Sequence, residues 1–188
     1  NERAPMKKFT LPLLLLLLAA AAAPAQENER LPHQRFALGF EFGAVQADPQ
    51  FGANLTSPYF WHNALALRAT ARLAEHQYDD LTSMRSQTAN YQLYKLGFVA
   101  TTYSLAPLFR FYGEAGVAFL LPDKELSKEK SIGGYGHLGF EFFLRIDSSA
   151  SYFIELGTVA VDAIAEEALF PHRYCSGFSI STGVRYYL

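Results

Sequence analysis

The chain has 188 residues, 50% of them hydrophobic, 15% aromatic and only 18% charged, with a formal net charge of -2 and a single cysteine. These totals give one domain, exclude a disordered or collagen-like chain and leave no pair for an internal disulfide. They also exclude a nucleic-acid partner, because phosphate recognition needs a concentrated basic surface and the lysines and arginines here are scattered.

The first 25 residues have the order of a secretory signal. Lys7 and Lys8 follow Met6, an apolar stretch runs from Phe9 through Leu13 to Leu18 and Ala19 to Ala23, and Ala23-Pro24-Ala25 offers a small-residue cleavage site. Asn1 to Pro5 precede the plausible initiator Met6. The expected division is therefore 1–25 as upstream residues and a cleaved signal peptide, 26–35 as a short N-terminal segment and 36–188 as the folded domain. No lipidation cysteine follows the apolar stretch, and no later apolar run is long enough for a spanning helix. Losing the leader removes three basic residues and one acidic residue, so the remainder is more acidic than the whole.

From Phe36 onward apolar residues recur with a period of two, the signature of strands with two unlike faces. In the first segment Phe36, Leu38, Phe40 and Phe42 alternate with Ala37, Gly39, Glu41 and Gly43, and Asp48-Pro49 within 47–50 signals a turn. A short second segment is expected over Phe51 to Ser57, ended by Pro58. The third, Asn63 to Glu75, sets Leu65, Leu67, Ala69, Ala71 and Leu73 against Arg68, Thr70 and Arg72, and a long polar loop is expected over 76–90. The fourth, Tyr91 to Tyr103, opposes Tyr94, Leu96, Phe98 and Ala100 to Lys95, Gly97 and Thr101. After a tight connection at 104–107 the fifth opposes Phe109, Phe111, Ala115, Val117 and Phe119 to Arg110, Tyr112, Glu114 and Gly116, and a charged loop covers 122–131.

The sixth segment, Gly133 to Ile146, opposes Leu138, Phe140, Phe142, Leu144 and Ile146 to His137, Gly139, Glu141 and Arg145. A turn at 147–150 leads to the seventh, Ser151 to Val161, in which Tyr152, Ile154, Leu156 and Thr158 oppose Phe153, Glu155 and Gly157. Following a loop over 162–173, the eighth, Tyr174 to Leu188, opposes Phe178, Ile180, Thr182, Val184, Tyr186 and Leu188 to Gly177, Ser179, Ser181, Gly183 and Arg185. Eight alternating segments, with short turns after four and six and longer polar loops after three, five and seven, describe an all-β, eight-stranded antiparallel up-and-down transmembrane β-barrel.

Three features favour a membrane barrel over a soluble one of the same period. The polar parity carries both signs of charge: Arg68, Arg72, Lys95, Arg110, Arg145 and Arg185 against Glu41, Glu114, Glu141 and Glu155, with His137 beside them. An eight-strand lumen is just wide enough for side chains to fill, so these groups are expected to neutralise one another in an internal ion-pair network. The apolar parity is broad and nearly free of charge, as a lipid-facing band must be. Tyrosines near segment ends, among them Tyr59, Tyr78, Tyr91, Tyr103, Tyr135, Tyr152, Tyr174, Tyr186 and Tyr187, are expected to form the interface girdles.

The sequence ends on Gly183-Val184-Arg185-Tyr186-Tyr187-Leu188, alternating to its last residue. In this it resembles the small eight-stranded OmpA/OmpX-type outer-membrane proteins, whose last strand carries an aromatic C-terminal signature read by the assembly machinery. The resemblance covers about residues 36 to 188 and rests on pattern; the family's usual final Phe is Leu188 here. It implies a Gram-negative outer membrane as the location, with outer-membrane lipid, lipopolysaccharide and the assembly machinery as partners.

No catalytic, metal or cofactor constellation is expected. Deacylase barrels carry a His-x-Ser-Asn arrangement, and none of His33, His62, His76, His137 and His172 has serine two positions on; His172 with Ser176 is the nearest approach. Cys175 is alone and reads as a packing residue, while Asp79-Asp80 and Glu166-Glu167 read as solvated loop pairs. The expected function is therefore a non-enzymatic barrel whose loops make surface or envelope contacts. The alternatives are a lipid A modifying hydrolase, a narrow porin-like pore given room by the lumen glycines, and an exported lipocalin-like binder, which would lack the usual Gly-x-Trp motif.

Overall fold

The computed structural model describes residues 34–79, 86–101, 108–123, 127, 129–145, 148–165 and 173–188. The expected signal peptide, His172 and the Glu166-Glu167 pair lie outside the described residues. The strands are β1 (Ala37–Val45), β2 (Asp48–Thr56), β3 (Leu65–Asp79), β4 (Ser86–Thr101), β5 (Phe109–Pro122), β6 (Ser131–Phe143), β7 (Ala150–Val161) and β8 (Gly177–Tyr187). Each pairs antiparallel with the next, and β1 pairs with β8, so the sheet closes as the expected eight-stranded up-and-down barrel. Closure satisfies the backbone groups that an open edge strand would expose. The end where β1, β3, β5 and β7 finish is called the upper end below, and the opposite end the lower.

Strand boundaries depart from the sequence reading by a residue or more at several ends, and three of the differences bear on the interior. The reversal between β1 and β2 is confined to Gln46 and Ala47, with Gln46 at a φ of 54° and its N–H donated to the Phe178 carbonyl at 2.7 Å. Asp48 and Pro49 already belong to β2, pairing with Val45 and Ala44, because Asp48, Gln50, Asn54 and Thr56 continue one polar parity against Phe51 and Leu55. The second difference is the expected loop over 76–90. Most of it is strand: Glu75 pairs with Asn90, His76 with Ala89 and Asp79 with Ser86, so β3 and β4 form a long hairpin. Polar side chains on the outward parity of this extension, Glu75 and Gln77 against Thr88 and Asn90, hide a continuing ladder behind a loop-like composition. Third, β6 stops at Phe143, before Leu144 and Arg145.

The lower connection from β2 to β3 folds through Trp61, His62 and Asn63 at φ of 46°, 59° and 59°, closed by a bridge between Phe60 and Leu65. Consecutive left-handed residues reverse the chain within one turn, and Asn63 tolerates that conformation better than most side chains. This explains why 57–62 has no strand pattern.

The wall is inverted relative to a soluble barrel. Phe40, Phe42, Leu96, Phe98, Leu138, Ile180 and Val184 face outward and are exposed, whereas Glu41, Arg68, Arg72, Lys95, Arg110, Glu114, His137, Glu141, Glu155 and Arg185 are buried inside. Among described strand side chains, Glu75 is the one charge that points out. Among the described residues the tyrosine girdle does not form as expected: Tyr59, Tyr78, Tyr91, Tyr112, Tyr135, Tyr174 and Tyr187 are buried within the barrel, Tyr94, Tyr152 and Tyr186 are exposed, and Tyr103 lies outside the described residues. Inward tyrosines follow the polar parity because a hydroxyl can meet a buried charge that a phenylalanine could not, as those of Tyr91, Tyr112, Tyr135 and Tyr187 do.

Candidate functional site

The inward parity builds one polar interior in three tiers. At the upper end Asp48 accepts from His76 through the Nδ1···Oδ1 contact at 2.8 Å and from the Tyr91 hydroxyl at 3.0 Å, while Gln50 donates to that hydroxyl at 3.0 Å. Tyr174 packs its ring against His76 at 5.3 Å and Tyr91 at 5.4 Å, joined by Val45, Leu93, Leu120, Val161, Ala163, Ala165 and Cys175 in an apolar cap. The segment between β7 and β8 thus sends Ala163, Ala165, Tyr174 and Cys175 into the mouth.

The middle tier is the densest charge cluster. Arg72 pairs with Glu41, which also accepts from Asn54 at 2.7 Å. Arg68 reaches Glu114 at 2.5 Å and Glu155 at 2.7 Å, and Arg185 reaches Glu155 at 3.6 Å. Tyr135 donates to Glu114 at 2.7 Å and Tyr112 to Glu155 at 2.6 Å. At the lower tier Glu141 gathers Arg185 at 3.1 Å, Arg110 at 3.4 Å, the Tyr187 hydroxyl at 2.8 Å and the Ser151 hydroxyl at 2.5 Å. Arginine dominates because its planar fork can serve two carboxylates at once, as Arg68 and Arg185 do.

The structure therefore brings together Glu41, Arg68, Arg72, Arg110, Glu114, Glu141, Glu155 and Arg185 by direct pairing and buries Lys95 and His137 among them, neither of which makes an ion pair among the described residues. Arg145 is a correction: it is exposed beyond the end of β6, where the strand alternation that would have turned it inward has ceased. Asp48 and His76 are the pair that sequence reasoning missed. Each falls where local composition predicts a turn or a loop, though the parity that Asp48 shares with Gln50 and His76 with Arg72 carries the signal.

The glycines that suggested an open pore do not leave open space. Asn54 lies over Gly39, Arg72 over Gly52, Tyr135 over Gly97, Tyr112 over Gly139 and His137 over Gly157. Each glycine is the floor on which a large inward side chain rests. Gly139→Ala is expected to destabilise the barrel by about 1–3 kcal/mol, since the fully buried Tyr112 ring cannot withdraw. A urea midpoint in lipid vesicles equal to that of the parent would contradict this.

Cys175 sits in the cap just before β8 with a φ of 53°, and burial pushes its thiol up to about 12. The thiolate, the reactive form, is then absent near neutral pH. Folded protein at pH 8 is expected to resist a charged maleimide that labels the urea-unfolded chain completely; rapid labelling of the folded form would mean the cap is open. Among the described residues no group of three or more His, Cys, Asp or Glu side chains could hold a metal ion. Ser176 spends its hydroxyl on the Val159 carbonyl at 3.5 Å.

A closed eight-stranded barrel with an apolar exterior and an ion-paired interior is the architecture of small outer-membrane barrels. Among solved structures the chain is similar to the outer membrane protein OprG from Pseudomonas aeruginosa, with a TM-score of 0.64 and 14% identity over 85% of this chain and 99% of that one. It is also similar to the N-terminal β-barrel domain of Pseudomonas aeruginosa OprF, with a TM-score of 0.55 and 11% identity over 82% and 98%. At these identities the likeness is one of fold. No family model and no curated protein matches the sequence.

Proposed function

We propose that the protein is an integral outer-membrane barrel without enzymatic activity, exported by the leader in residues 1–25, with its upper end outside the cell. One observation carries this reading: among the described side chains every strand charge but Glu75 turns inward, while the outward parity is apolar across most of every strand. In water that exterior would expose far more contiguous apolar surface than a soluble monomer does, whereas in a bilayer it is solvated by lipid. A lipocalin-like binder needs the opposite arrangement, with the apolar parity lining a cavity.

The interior supports a structural rather than a conducting or catalytic role. Three tiers of paired side chains and an apolar cap occupy the lumen, and no histidine-activated serine appears among the described residues. Contact with lipopolysaccharide, envelope partners or outside surfaces then falls to the upper end, where the β3–β4 extension carries Glu75, Gln77, Thr88 and Asn90 beyond the apolar band.

The role is tested in cells lacking the protein and complemented with the parent or with a variant in which the outward side chains Glu75, Gln77, Thr88 and Asn90 are all replaced by alanine, leaving the interior residues His76, Tyr78 and Ala89 in place. The expected result is that the variant barrel reaches the membrane, folds and fails to restore envelope and adhesion phenotypes. Full rescue would overturn the contact role. Mass spectrometry of lipid A is expected to show the same acyl pattern with and without the protein, and planar bilayers no discrete conductance.

A further inference from the structure

The upper border of the apolar wall is not the same all round. Where β2, β5, β6 and β8 meet it, the outward side chains are Phe51, Phe119, Ile132 and Phe178, all exposed. On β3 and β4 the outward parity turns polar instead: Glu75 and Gln77 follow Leu73, and Gln92, Asn90 and Thr88 stand above Tyr94, every one of them exposed. The register makes these one surface, with Glu75 opposite Asn90, Gln77 opposite Thr88, Leu73 opposite Gln92 and Ala71 opposite Tyr94. Opposed side chains on one face of a ladder stand about 5 Å apart and successive ones along a strand about 7 Å, a spacing that one or two sugar rings can bridge. Tyr94 donates its hydroxyl to Gln92 Oε1 at 2.8 Å, which ties its ring, 39% exposed, to that amide.

The height of this patch follows from β3. Its outward residues from Leu65 to Leu73 are apolar, and at about 2.5 Å of height per residue in a strand tilted by about 40° they cover about 20 Å, close to the about 25 Å of a lipid-facing band. The patch begins where the hydrocarbon ends and rises about 10 Å further, so its neighbours in the membrane plane are lipid headgroups. Among the described strand side chains no lysine or arginine faces outward and Glu75 is the one outward charge, so the patch does not pair directly with a phosphate. Amides, a hydroxyl, a carboxylate and an aromatic ring are instead the groups that hold sugars: the polar ones exchange hydrogen bonds with hydroxyls, and the ring packs against C–H faces.

We propose that the outward face of the β3–β4 hairpin, just above the apolar band, binds the sugar headgroup of a glycolipid in the surrounding leaflet. Glu75, Gln77, Thr88, Asn90 and Gln92 take the sugar hydroxyls and Tyr94 stacks beneath a ring, while the acyl chains lie on the apolar wall that continues below through Leu73 and Ala71. The occupant is lipid-borne because this face looks sideways into the membrane plane, and polar patch and apolar wall share the same two strands without a break. The inference deepens the contact role given to the upper end and rests on that end facing outside.

The test uses the full folded barrel in phosphatidylcholine vesicles containing either lipopolysaccharide with its core sugars or lipid A, which has the same phosphates and acyl chains without them. After gentle detergent extraction with a chelator present, mass spectrometry of the barrel is expected to find several-fold more retained lipopolysaccharide than lipid A. Asn90→Leu with Gln92→Leu, both at exposed positions, should fold and bring retention down to the lipid A level, and Tyr94→Leu should lower it several-fold. Core oligosaccharide freed from its lipid should displace little of the bound glycolipid. The proposal is overturned by equal retention of the two lipids, by a preference seen only without the chelator, which would mark a cation-bridged phosphate, by variants that retain as much as the parent, or by full displacement with the free oligosaccharide. The parent's preference decides the matter even without a variant. Vesicles offer the glycolipid to both leaflets, so a failure here leaves the outer-membrane reading standing, which fails on envelope fractionation instead.

Discussion

Leu96→Arg is expected to destabilise the barrel in phospholipid by about 2–4 kcal/mol, the cost of an arginine near the midplane on a lipid-facing strand. Leu96 is 50% exposed, pairs with Ala69 and Val117, and sits on the outward parity of β4 between Tyr94 and Phe98. A soluble barrel gives the opposite expectation, because arginine at an exposed position in water changes stability by about 0.5 kcal/mol or less. Thr88→Arg on the same parity, but on the β3–β4 extension, supplies the depth control and should cost about 0–1 kcal/mol. Reversible urea unfolding in vesicles measures both. Equal effects at the two positions would show that no apolar slab surrounds the barrel.

Removing the hub of the lower tier should cost more. Glu141 is fully buried and serves Arg110, Arg185, Tyr187 and Ser151, so Glu141→Ala leaves two guanidinium groups facing one another without the carboxylate between them. Breaking a buried pair by deleting one partner costs about 3–5 kcal/mol, because the charge left behind has lost its solvation and its partner together. Arg185 retains Glu155 at 3.6 Å, and Arg110 keeps the rings of Tyr59, Phe143 and Tyr187, which holds the expected loss within that range instead of doubling it. A Glu141→Ala barrel as resistant to urea as the parent would mean that the network contributes register and not stability.

Arg68 and Arg72 could be placed in the lumen from the residues alone because they alternate with alanines and leucines inside one long uninterrupted strand. A one-residue slip would have put both into lipid, and such a penalty fixes register. Asp48 and His76 could not be placed the same way. Asp-Pro is a strong turn signal, and a run containing Glu75, Gln77 and Asn90 has the composition of a solvated loop, so local chemistry masked the continuing alternation. Arg145 shows the converse error, in which alternation is extended beyond the last ladder pair of β6, Phe143 with Ser151.

The tyrosines mark a different limit. An aromatic near a strand end fits either a girdle or the packing of a lumen mouth, and only parity separates the two. Tyr152 and Tyr186 share the outward parity, whereas Tyr91, Tyr135 and Tyr187 share the inward one and end on Asp48, Glu114 and Glu141. Which carboxylate meets which arginine was beyond the sequence, since Arg68 on β3 finds Glu114 on β5 and Glu155 on β7 only once the sheet has closed.

The most direct test of a lipid-facing barrel is fractionation of the envelope followed by gel mobility of unheated against boiled protein. The account predicts recovery in the outer-membrane fraction and a folded species that resists the detergent and migrates differently until boiled. Recovery as a soluble protein, with one mobility before and after heating, would contradict it.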